Sequence, residues 1–325
     1  MSLETTMPLT TESNDITTAE PAHKGIPRDD TVVPRWIFGF CGEAQLGSVP
    51  VPWPRVPLAA SPPDTNSHIR RMRFISIDIG RLEEQDEVIK RFHIGVSVLN
   101  TQSLQKLLLC RPEQEINLAS RVIESHHWVV EDAYYYHERD NLFLFGNPKL
   151  IPLSRLEARL KQHLQVPNFT LVFHGGRREL SVLQRLNINL NPLYTIDTVN
   201  AAQHPLQLSY RYSLKQLLQE FEIPQALFHT AGNDAHFILR ALLMITVRDV
   251  ERQLSGKQLP DWVPILKEVA RSPLPPRPPT WGQKIALNRK KRKLKKLEQG
   301  RREELDGPAI SQTPNDTLPP TCIQD

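Results

Sequence analysis

Met72-Arg73-Phe74-Ile75-Ser76-Ile77-Asp78-Ile79-Gly80 decides how the chain is read. Side chains along a strand alternate between faces, so Met72, Phe74, Ser76 and Asp78 share one face and Ile75, Ile77 and Ile79 the other. Both faces are largely apolar. That predicts a strand buried on both sides, with an acid at its carboxyl end, and such strand ends in α/β sheets are where ligands bind.

The reading extends outwards as alternating strands and helices. Phe92 to Leu99 and, more weakly, His127 to Val130 form further strand candidates. Leu153 to Leu164 has helical periodicity. Phe169 to Phe173 is a short apolar strand leading into His174-Gly175-Gly176, with a helix expected through Leu186. Tyr194-Thr195-Ile196 is another short strand, ending at Asp197-Thr198. Leu214, Leu217, Leu218 and Phe221 repeat at helical spacing behind Ser213, which with Gln216 makes a capping-box pair. A last long helix is expected from about Asn233 towards Val247. The sum is an α/β domain over residues 69–271, a mixed sheet flanked by helices.

The flanks differ in composition. The 28 prolines concentrate towards the two ends, so residues 1–68 and 272–325 are expected to be largely disordered. Trp36-Ile37-Phe38-Gly39-Phe40 interrupts the first of these, and the sequence leaves open whether this patch docks on the domain or on a partner. Pro273 to Pro279 is expected to form polyproline II. Residues 284–302 then carry ten Lys and Arg against the single acid Glu298, although the whole chain is only +4. Attraction for nucleic acid is therefore expected mainly from this tail. Arg289, Lys290, Lys291, Arg292 and Lys293 form its densest run, which reads equally as a nuclear-localisation signal, a nucleic-acid clamp or a solvated basic helix. The three cysteines, Cys41, Cys110 and Cys322, have no metal-binding spacing, and so sparse a count fits a reducing, intracellular compartment, nuclear or cytoplasmic. The N-terminus has no secretory pattern, and no apolar run reaches membrane-spanning length.

Three acids fall on inward faces. Asp78 ends the first strand. Glu179 heads a helical stripe of Val182, Leu183 and Leu186, and Asp234 heads one of Phe237, Ile238, Ala241, Leu242 and Ile245. Singly, each is equally well read as a turn cap or as a first-turn acid favoured by the helix dipole. Together they would repel one another, a cost that hard divalent ions such as Mg²⁺ or Mn²⁺ remove. His229, five residues before Asp234, could then act as a base towards a water. His174 and Gly175 end their strand where a backbone can approach either a ligand or a neighbouring strand.

Three segments in this order and spacing resemble the motifs of the DEDDh 3′→5′ exonucleases: Phe74 to Asp78, Leu171 to Glu179, and His229-Thr230-Ala231-Gly232-Asn233-Asp234-Ala235. The resemblance implies a ribonuclease-H-like fold and nucleic-acid binding. Together with His93-Ile94-Gly95-Val96, His126-His127 and Phe143-Leu144-Phe145-Gly146, the third motif resembles a fungal branch known for a yeast member named for supporting the DEAD-box helicase of mRNA export. That implies RNA or single-stranded nucleic acid, and mRNA-processing or export factors, as partners.

Two positions depart from the family pattern. Active members carry a glutamate two residues after the first aspartate, where this chain has Gly80. The second motif usually ends in Asp, here Glu179. Glu83, Glu84, Asp86 and Glu87 follow Gly80 and read as a solvated loop, one of which could substitute. Asp197 reads as a helix cap or as a group that supports the metal ligands, not as a ligand itself. The expectation is a nuclease-like nucleic-acid-binding protein impaired in catalysis. The alternatives are an active Mg²⁺- or Mn²⁺-dependent exonuclease, with Asp78, Glu179 and Asp234 on the ions and His229 as base, and a scaffold for protein partners.

Overall fold

In the computed structural model, the described residues are 29–40, 69–110, 117–131, 142–164, 169–277, 279 and 281–305. Six strands form one sheet: β1 (Arg73–Gln85), β2 (Val88–Asn100), β3 (Ile123–Glu131), β4 (Lys149–Ile151), β5 (Phe169–Phe173) and β6 (Tyr194–Asp197), in the order β4-β3-β2-β1-β5-β6. β1 to β3 run antiparallel, while β1 and β5, β5 and β6, and β3 and β4 pair in parallel. This is the mixed sheet expected.

The helices follow from the connections. They are α1 (Asp29–Ile37), α2 (Thr101–Leu109), α3 (Ala119–Val122), α4 (Leu153–Leu164), α5 (Arg177–Arg185), α6 (Thr198–Leu206), α7 (Leu214–Glu220), α8 (Ala231–Gln253), α9 (Trp262–Arg271) and α10 (Trp281–Leu305). The alternation in β1 sorts the core into two layers. Ile75, Ile77 and Ile79 pack with Leu156 and Leu160 of α4 and Val182 and Leu183 of α5. Met72 and Phe74 pack on the other side, with α8 and the helices around it. All but four residues of α8 are buried. It is a central helix, covered by sheet on one side and helices on the other. Both halves of the Ser213–Gln216 capping box are present.

Several boundaries differ from the sequence reading. The acids expected in a loop lie on a hairpin extension of β1. Asp86 and Glu87, both with positive φ, make a two-residue turn between the paired Gln85 and Val88. Within residues 1–68, residues 29–40 belong to the domain. Ile37 and Phe38 are fully buried, Phe38 stacks on Phe74, and Arg70 lies 4.2 Å over the Trp36 ring. Arg35 makes a bidentate pair with Asp249 of α8 at 2.6 and 2.7 Å. The aromatic patch therefore docks on the domain. The rest of 1–68 lies outside the described residues. In the tail, residues 281–305 form α10 as a unit separate from the domain, with Arg289 to Lys293 exposed on it. Residues 272–277 carry no helix or strand. Arg240 of α8 is fully buried and donates to the carbonyls of Ala270 and Ser272, which fixes the end of α9.

Candidate active site

The parallel pairing of β1 with β5 runs from Arg73 opposite Phe169 to Ser76 opposite Val172. Both strands therefore end at the same edge. Asp78 lies two residues past the last pair, and the β5 end turns through His174-Gly175-Gly176 into α5, whose first turn carries Glu179. The Glu179 carboxylate accepts a hydrogen bond from the backbone N–H of Ile79, next to Asp78.

Asp234 arrives from the opposite direction. In β2, Gly95 pairs with Asp78. A Cβ on Gly95 would lie 1.9 Å from the carbonyl oxygen of Ala231. The missing side chain lets the first turn of α8 lie directly on the sheet, which brings Asp234 over β1. Gly232 makes the reciprocal approach, since a Cβ there would meet Cβ of His127 at 2.7 Å.

This helix start has no side-chain cap at Thr230. The sheet supplies one instead. His127 Nδ1 accepts from Gly232 N at 3.1 Å, and its Nε2 lies 3.0 Å from His93 Nδ1. Because Nδ1 of His127 is an acceptor, its proton sits on Nε2 and is donated to His93. Burial holds both rings neutral, with His93 pushed down to about 3 and His127 to about 4. Asn233 donates to the carbonyls of Leu142 and Leu227 and accepts from Leu144 N. The segments His93 to Val96, His126-His127, Phe143 to Gly146 and Ala231 to Ala235 thus converge on one helix terminus.

The three acids share one field. The Asp78 carboxyl is pushed up to about 8, first by burial and then by the negative charges of Asp234 and Glu179, with Arg178 opposing. Burial raises Glu179 too, against its own and Ile79's backbone N–H groups and Arg178. Asp234 rises to about 6 through burial, opposed by the His229 charge and backbone N–H. Glu179 and Asp234 are each only 8% exposed, and Oδ1 of Asp234 is buried without a hydrogen-bond partner. An orphaned carboxylate oxygen among mutually repelling acids is the donor set a hard divalent ion satisfies. His229 is exposed just before α8, in the left-handed backbone region at φ 62°.

Gly80 continues the Asp78 face of β1 and pairs with His93. A Cβ there would meet nothing within 4 Å, so space exists for a side chain that the sequence does not supply. The neighbouring acids are engaged elsewhere. Glu84 pairs with Arg185 at 2.8 Å, and Glu83 lies 3.8 Å from Arg91.

His174 and Gly175 are tied into the fold. The Thr198 hydroxyl donates to Phe173 O, so it accepts from Nδ1 of His174 at 2.9 Å. Gly175 N donates to Asp197, which also caps α6 through Val199 N. Asp197 is thus the helix cap expected. Reasoning from sequence assigned no role to Arg178, whose charge opposes the acids. Its signal was the Arg177-Arg178 pair directly before Glu179. Gly95 and His127 entered only through the resemblance, though a glycine inside an apolar strand is itself a sign of close backbone approach.

Comparison with known proteins agrees with this arrangement. A family model described as DEDDh, DNA polymerase III subunit epsilon-like, C-terminal domain, matches residues 73–245. An uncharacterized nucleolar protein of Schizosaccharomyces pombe is 32% identical over 117 residues, which cover 34% of this chain and 48% of that protein. The chain thus spans about half the length of this relative. The matched segment runs from the first residue of β1 into α8 and contains Asp78, Glu179 and Asp234. By the extent of that match, the chain belongs to the DEDDh, DNA polymerase III subunit epsilon-like family.

Proposed function

We propose that this protein binds single-stranded nucleic acid, RNA in particular, through the carboxylate site and the basic helix α10, and that its phosphodiester hydrolysis is impaired. The observation that carries the second half is Gly80, half-buried on the Asp78 face with open space where a carboxylate would stand. Asp78, Glu179 and Asp234 would hold Mg²⁺ or Mn²⁺. Such an ion, when bound, supplies positive charge to a phosphodiester and lowers the pKa of a water. With no carboxylate at position 80, the acceptor that would help orient the attacking water is missing. Exposed Arg289, Lys290, Lys291, Arg292 and Lys293 offer sequence-independent phosphate contacts. Gly175 is exposed in the turn before α5, which His174 ties to Thr198, and would offer its backbone to a ligand there. The nucleolar relative and the resemblance to the mRNA-export branch support a nuclear site of action, with mRNA-processing or export factors as partners. Among the described residues, no helix is long and apolar enough to cross a membrane.

One observation favours an active exonuclease instead. His229 is exposed just before the α8 turn that carries Asp234, a position that suits a neutral imidazole acting as base towards an attacking water. Purified protein is incubated with Mn²⁺ and end-labelled single-stranded RNA or DNA, beside Asp234→Ala and Gly80→Glu. The impaired reading expects little degradation by the wild type and a gain in Gly80→Glu. Robust wild-type degradation that disappears in Asp234→Ala would establish the exonuclease. Removal of residues 284–302 is expected to flatten the salt dependence of RNA affinity, and an unchanged slope refutes the role of α10.

A further inference from the structure

The opposite face of the sheet carries a second cluster of ligand-type side chains. On β3, Glu124, His126 and Trp128 alternate onto the layer that faces α4, while Ser125 and His127 face α8. His163 reaches the same place from the last turn of α4. One ligand atom from each of Glu124, His126 and His163 lies within 4.8 Å of the others. His126 Nε2 is 3.1 Å from Oε1 of Glu124, yet it is buried and makes no well-aligned hydrogen bond. The His126 and His163 rings are 4.4 Å apart between centroids. The Trp128 indole contacts both, at 5.7 and 5.5 Å, and holds them in place.

We propose that Glu124, His126 and His163 bind a transition-metal ion of the zinc class, clamping β3 to the end of α4. Three protein ligands of the His₂Glu type leave one position open to solvent. The donors select the ion. A single carboxylate offers too few oxygen donors for Mg²⁺ or Ca²⁺. Two nitrogen donors favour Zn²⁺, Co²⁺ or Ni²⁺. This site shares no residue with the Asp78 cluster, so it stands whether or not the protein is a nuclease.

The test uses the full chain, stripped with EDTA and titrated with Co²⁺ while visible d–d absorption is recorded. One tight equivalent is expected in the wild type, unaffected by millimolar Mg²⁺ and retained in Asp78→Asn. His126→Ala and His163→Ala should each weaken binding at least ~tenfold, and so should Glu124→Gln, whose exposed side chain makes unfolding no explanation. Zn²⁺ should raise the melting temperature of the wild type and leave that of Glu124→Gln unmoved. No tight equivalent in the wild type overturns the proposal. So does tight binding that survives Glu124→Gln and His163→Ala, or that is lost in Asp78→Asn.

Discussion

Replacing Asp78 by Asn should stabilise the metal-free domain, and by more as the pH rises. The side chain keeps its shape and loses only its ability to ionise. In the folded protein the Asp78 carboxyl rises from its ordinary value of 3.8 to about 8. In the unfolded chain it ionises near its ordinary value. Asp78 therefore costs nothing below about pH 4, and costs steadily more as the pH climbs towards 8, because only the unfolded state releases its proton. Taken at face value the rise is worth at most ~6 kcal/mol at pH 8. Asp78 is half-buried, and solvent screening brings the expectation down to ~2 kcal/mol. For a domain of this size that is a gain of ~4–8 °C in melting temperature. The assay is thermal unfolding in EDTA at pH 4, 6 and 8, comparing wild type with Asp78→Asn. The gain should be largest at pH 8 and vanish at pH 4. Mg²⁺ or Mn²⁺ should then raise the wild type and not the variant, closing the gap at pH 8. A variant no more stable than wild type at pH 8 in EDTA, or a gain independent of pH, would refute the assignment of Asp78 to a cluster of repelling acids.

Other substitutions probe how the site is built. Gly95→Ala should destabilise the fold by ~3 kcal/mol in urea titrations and weaken Mn²⁺ binding, because its Cβ displaces the α8 start that carries Asp234; near-wild-type behaviour would show that the approach is relaxed easily. His127→Phe should cost ~1–3 kcal/mol, since it leaves the buried Gly232 N–H without an acceptor, and an unchanged denaturation midpoint would contradict the sheet-borne cap. Arg35→Ala leaves Asp249 buried with only His204 Nδ1 near it, at 3.5 Å, for an expected loss of ~3–5 kcal/mol. A loss below ~1 kcal/mol would mean that α1 contributes little to the domain.

The polarity pattern of Met72 to Gly80 was enough to predict a strand buried on both faces, because alternation is a local property. The helices heading from Glu179 and Asp234 were legible for the same reason, since apolar residues recur at helical spacing behind each acid. The three carboxylates could therefore be named from residues alone, whereas the gap at Gly80 was visible only against the family pattern that the chain resembles. Other features depend on partners distant in the chain. Asp29 to Ile37 is too short and too polar to declare itself a helix of the core; the Arg35–Asp249 pair, linking residues more than two hundred positions apart, holds it there. The basic run reads alike as a clamp, a signal or a helix, and the structure makes it helical. Local pattern could say that three acids point inwards, but not that the charges of Asp234 and Glu179 act on Asp78. That was decided by two bare backbone surfaces, Gly95 and Gly232, whose missing side chains let a helix terminus lie on the sheet, and by His127, which caps that terminus from a neighbouring strand.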